Sequence, residues 1–138
     1  VNIAVGKCSY VGGAAVWSCF LKGIACNWLV NLAILLGICA DDLIGKFFGI
    51  WFPIMAFVSS GFEHCVANMY FIPTGIMTSG FLTPEQVAAI GPKFANLGWV
   101  TMWTNNIIVV TIGNIVGGLV FVAIIYWLAF RDEIAALK

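Results

Sequence analysis

The sequence predicts an all-α transmembrane protein, and three observations carry that reading. Hydrophobic residues fill 62% of the 138 positions and charged residues only 9%, with a mean hydropathy of +1.05, far from the composition of soluble domains. The apolar residues gather into long runs separated by short polar stretches. One run is interrupted near its middle by Glu63 and His64, two ionisable groups in a setting where a bilayer makes them expensive.

The first run, Ala14 to Ala40, is long enough to cross about 30 Å of hydrocarbon at about 1.5 Å per residue, so residues 14–40 are predicted as a spanning helix. It carries Lys22 toward one end and two amides, Asn27 and Asn31, one turn apart on one face. Asp41 and Asp42 end it, and the stretch to Lys46 reads as a turn. The next block, Phe47 to Phe62, contains Pro53 and is marginal as a full span. The one after His64 is shorter and contains Pro73 and Gly75. Together they predict a single span over 47–77, broken at 63–64, whose freed backbone lines a cavity.

Residues 78–98 mix Pro, Gly and charge and read as an extramembrane connection. A short helix is predicted over Pro84 to Ala89, because Thr83 suits an N-cap and Pro84 a first helical position. The third span is predicted over 106–130, closed by Arg131, Asp132 and Glu133. Trp99 and Trp103 stand before it, and Tyr126 and Trp127 near its far end, as interfacial aromatics. Three crossings place Lys46, Arg131 and Lys138 on the cytoplasmic side against Lys7 and Lys93 outside, a slight positive-inside bias.

Composition also excludes. A net charge of zero gives no basic face for nucleic acid. Five cysteines without a CxxC, four of them in or beside apolar runs, read as small buried hydrophobes. A single histidine with no companion ligands predicts no metal, and nothing predicts a cofactor. Cys65 lies beside His64, but adjacent helical residues diverge and no third group orients them, so an enzyme is not expected. The opening from Val1 lacks the features of a secretory signal and reads as a point inside a longer chain.

If the middle span stays helical through its break, Phe57, Gly61, His64 and Asn68 share one face: an aromatic gate, a gap, an imidazole and an amide. Histidine suits an anion path, since desolvation favours the neutral ring while an arriving anion favours the imidazolium. A weak-acid anion could draw a proton onto His64 or take one from it. Glu63 would repel an anion and is better placed to orient a polar partner. On the third span, Thr111, Asn114 and Gly118 recur on one face, and Gly113-xxx-Gly117 reads as close helix packing. An amide such as Asn114 or Asn27 in a bilayer needs a polar partner, with Glu63, Asn27 or the backbone of the break as candidates for Asn114.

Three motifs in order, FLKGIACNWLVNLA at 20–33, GFEHCVANM at 61–69 and NIIVVTIGNIVGG at 106–118, resemble the formate/nitrite transporter family. The resemblance covers nearly the whole chain and corresponds to the second half of a family member. It implies an aquaporin-like six-span fold, assembled as a homopentamer with one pore per protomer. It also implies a multi-pass protein of the lipid bilayer, in a plasma, inner or organellar membrane, that carries formate, nitrite or similar small monovalent anions with or without protons.

By that resemblance His64 is the central pore histidine, Phe57 belongs to a hydrophobic constriction, and Glu63, Asn27 and Asn114 are the supporting polar residues. Lys7 takes the place of the pore-associated lysine, although the stretch from Lys7 to Asn27 is a few residues longer than the family's spacing. Cys65 stands where a serine is common. The expected substrate path comprises His64, Phe57, Asn27, Asn68 and Thr111, supported by Glu63, Asn114 and Lys7. Its other wall is expected from a missing N-terminal half of the same polypeptide. The competing expectation is a structural membrane subunit with a vestigial pore.

Overall fold

A computed structural model describes residues 1–136. Lys138, and the sidedness expected of it, lie outside the described residues. Every regular element among those residues is helical: α1 (Asn2–Cys8), α2 (Gly13–Cys39), α3 (Leu43–Ser59), α4 (Cys65–Ser79), α5 (Pro84–Ile90), a 3₁₀ turn over Pro92–Asn96, α6 (Trp99–Ala129) and α7 (Arg131–Ala136). Two π-helical stretches, Trp103–Ile107 and Leu119–Ile124, lie within α6. Helices α2 and α6, of 27 and 31 residues, are long and apolar enough to cross a membrane.

The elements depart from the sequence expectation at two boundaries, each for a local reason. Asp42 caps α3, its side chain accepting from the Gly45 amide at 2.8 Å, so the helix begins at Leu43 and Lys46 sits on its first turn rather than in a loop. Helix α6 begins at Trp99, well before Asn106, and takes Trp99 and Trp103 into itself. The polar Thr104-Asn105-Asn106 stretch does not stop it, because the two amides find partners on α1: Asn105 donates to the Cys8 carbonyl at 3.0 Å and Asn106 to that of Lys7 at 3.2 Å. Helix α5 forms as its sequence indicates. Thr83 and Gln86 cap each other's backbone in a capping box, with Pro84 in the first turn.

Glycine sets the α2–α6 contact. A Cβ on Gly113 would stand 2.5 Å from the Phe20 carbonyl oxygen, and one on Gly117 would collide with the Ile24 carbonyl. Gly23 of α2 faces back toward the backbone of Val110 and Gly113. The Gly113-xxx-Gly117 pair thus acts in packing. On the other side, α1 lies on α4 with Gly75 against Ala4, over a core of Cys8, Ile72, Met102 and Ile107. Cys8, Cys19 and Cys26 are buried as expected, whereas Cys65 is half-buried and Cys39, the last residue of α2, is exposed.

Replacing Gly117 by Ala should lower stability by about 1–3 kcal/mol, since the obstruction is backbone and cannot rotate away. The Gly6→Ala change, whose Cβ meets open space on a helix, should be neutral or stabilising by roughly 0.4–1 kcal/mol. Thermal unfolding in detergent, read by circular dichroism, separates the two.

Candidate functional site

Between α3 and α4 the chain leaves helical geometry for a few residues. Gly61 takes φ +64°, in the left-handed region that favours glycine. His64 is extended and forms the N-cap of α4. A continuous helical face through Phe57, Gly61, His64 and Asn68 therefore does not exist, because the turn at Gly61 resets the register. Those four residues nonetheless meet, as walls of one cavity of about 490 Å³ shared with Ile3, Lys7 and Phe71 among others. The Phe57 and His64 rings lie 5.7 Å apart, centre to centre.

Broken backbone inside a membrane must find partners within the protein, and Asn114 of α6 supplies most of them. Its Nδ2 donates to the carbonyl oxygens of Glu63 and Gly23, 2.9 Å each, and its Oδ1 accepts from the Cys65 amide at 3.0 Å. The Glu63 amide donates to the Lys22 carbonyl at 3.4 Å. Asn114 thus pins the break to α2 and α6 at once. Asn27 donates to the Asn114 carbonyl at 2.6 Å and Asn31 to the Asn27 carbonyl at 2.8 Å, so these amides serve the helix contact beneath the break. Neither Asn27 nor Thr111 lines the cavity at His64.

The His64 ring closes the N-terminus of α4, with Nδ1 accepting from the Ala67 amide at 3.4 Å. An accepting Nδ1 places the proton of a neutral ring on Nε2, which has no protein partner among the described residues. The positive end of the α4 dipole and the backbone amides of its first turn stand beside the same ring.

Glu63 is 3% exposed, and its carboxylate receives four donors. Lys7 Nζ (3.0 Å), Asn68 Nδ2 (2.6 Å) and Asn106 Nδ2 (3.2 Å) reach Oε2, and the Tyr10 hydroxyl donates to Oε1 at 3.0 Å. Lys22 in turn donates to the Tyr10 hydroxyl at 3.3 Å. Lys7 and Asn68 line the cavity while Glu63 does not, so the cavity faces an ammonium and an amide with the carboxylate hidden behind them. The orientation of Asn68 is set by its two acceptors, Glu63 and Asn106 at 2.8 Å, and this leaves its buried Oδ1 without a protein donor.

Of the residues expected to matter, Lys7, Glu63 and Asn68 form one network and Asn27 and Asn114 a second, joined through the Glu63 backbone. Lys7 is thereby a half-buried partner of Glu63, on helix α1 rather than in an outer loop. The sequence reading missed Tyr10 and Asn106. Asn106 was readable as one more amide beside an apolar run, but its π-helical setting and its distant partners were not.

Residues 1–128 match the family described as formate/nitrite transporter. The chain is 45% identical over 136 residues to the "Probable formate transporter" of Methanothermobacter thermautotrophicus, covering 94% of this chain and 44% of that protein. It is 40% identical over 114 residues to the formate channel FocA of Escherichia coli, covering 80% and 40%. Among solved structures, one described as a pentameric formate channel with formate bound superposes with a TM-score of 0.76 at 38% identity, covering 94% of this chain and 50% of that one. The fold is all-α and transmembrane, shared with that solved formate channel. This chain belongs to the formate/nitrite transporter family. It spans about half the length of the curated relatives it matches.

Removing Lys7 alone, as in Lys7→Met, should destabilise the protein by about 3 kcal/mol, because Glu63 is then left buried without its counter-charge. Adding Glu63→Gln should restore most of that loss. A double-mutant cycle on thermal unfolding in detergent measures the coupling, and additive losses would show the ion pair to be dispensable.

Proposed function

We propose that this chain forms one wall of a path for small monovalent weak-acid anions, formate, nitrite or similar, in a channel or proton-linked transporter centred on His64. The observation that carries the reading is the single histidine at a helix break, facing a cavity between the Phe57 ring and the Lys7–Asn68 pair. Three features there favour an anion: the Nε2–H of the neutral ring, the positive end of α4 and the Lys7 ammonium. The apolar Phe57 and Phe71 walls select against a hydrated ion, so a species that sheds charge by taking up a proton passes more easily.

In this reading Asn27, Asn114 and Glu63 hold the path in shape, and Thr111 lies on the same helix as Asn114 without a place at the cavity. The second wall comes from the half of the family fold that this chain does not contain. The complete protein is a multi-pass homopentamer of a plasma or inner membrane, a proposal supported by the pentameric description of the solved relative.

The test is formate and nitrite flux into liposomes carrying the complete polypeptide, with and without a pH gradient. In His64→Asn the flux should fall about tenfold or more, a barrier change of about 1.4 kcal/mol, or lose its dependence on the gradient. Unchanged rate and unchanged coupling would remove His64 from the centre of the path.

A further inference from the structure

Lys22 is a second, half-buried cation beside the helix break, and the site at His64 does not use it. It lies within α2, in an apolar run, where an ionisable side chain is costly unless it has a partner or a task. Among the described residues its charge meets no carboxylate directly. The ion pairs among the described residues are Lys7–Glu63 and Arg131–Asp132. The one acidic group nearby, Glu63, already holds Lys7 and reaches Lys22 only through the Tyr10 hydroxyl. Two ammonium groups against one carboxylate leave this cluster with a net charge of +1, and Lys22 is the member that is not neutralised.

Lys22 also borders space. With Ala14, Trp17, Ser18, Leu21, Ala25 and Phe62 it lines an open groove of about 390 Å³ along α2. Phe62 walls both this groove and the cavity at His64. The Lys22 side chain keeps its stem along this apolar wall while its head meets the polar edge of Tyr10, 5.6 Å from the ring centre. An ammonium so held has one of its three hydrogens on Tyr10 and the others available to a ligand.

We infer that Lys22 and its groove form a separate anion-binding station, on the far side of Phe62 from His64, which takes small carboxylate or oxyanions before or after they meet the histidine. Tyr10 fixes the lysine head and the saturated Glu63 fixes Tyr10, so the ammonium is pre-positioned at the groove. This inference rests on the transport reading and adds a second binding point to it. The ligand chemistry is a compact monovalent anion, since the station offers one point charge and aromatic walls rather than a bidentate fork.

The experiment measures initial formate flux against formate concentration in liposomes carrying the complete polypeptide. Lys22→Gln should raise the half-saturating concentration about tenfold, the consequence of losing one charge-assisted hydrogen bond, while Lys22→Arg should stay within about threefold of the wild type. Ser18→Leu, which fills the groove and leaves the lysine in place, should raise it too, and serves if Lys22→Gln fails to assemble. Tyr10→Phe should have the smaller effect. A Tyr10→Phe loss equal to that of Lys22→Gln would instead make Lys22 a positioning residue for Glu63 and overturn the station. Saturable flux with half-saturation unchanged in both Lys22→Gln and Ser18→Leu would overturn the station alone. A wild-type protein that carries no anion would overturn it together with the transport reading.

Discussion

A carboxylate that must stay inside the bundle organises everything around it. Glu63 sits where the chain changes helix, 3% exposed, and an ionised group there is tolerated only if it is paired and hydrogen-bonded. Its donors come from separate parts of the chain: Lys7 from α1, Tyr10 from the α1–α2 connection, Asn68 from α4 and Asn106 from α6. Satisfying one side chain therefore fixes the mutual placement of α1, α4 and α6. Asn114 performs the matching task for the backbone of the same residue and adds α2.

This division of labour separates shape from recognition. Glu63 is spent inward on its donors, so the cavity at His64 sees the outer side of Lys7 and Asn68 and no negative charge. The break itself serves recognition. It exposes the N-terminus of α4, and it uses His64 as that helix's cap, so the ring is held by Nδ1 and presents its other nitrogen to whatever enters. A straight helix would place the same histidine on its surface with no such constraint on the ring.

How much of this was legible in the sequence depends on the range of the cause. The α5 helix and its cap were readable because Thr83, Pro84 and Gln86 act on one another within a turn. The break was readable because Glu63 and His64 are anomalies of burial whatever surrounds them. Phe57, Gly61, His64 and Asn68 line one cavity as they were grouped in the sequence, although the helical periodicity that grouped them fails at Gly61. The partners of Glu63 were hidden, because Tyr10 and Asn106 lie 53 and 43 positions away from it in the chain. Lys22 shows the same limit, since the sequence places it only toward one end of a span. Only the fold places its ammonium on Tyr10.

The most direct test of the central claim is a structure of the complete polypeptide determined with formate present. A compact anion within hydrogen-bonding distance of His64 Nε2, with the Lys7–Glu63 pair intact behind Asn68, is the predicted result. A closed, anion-free space at His64 in a protein that demonstrably conducts formate would contradict it and place the path elsewhere.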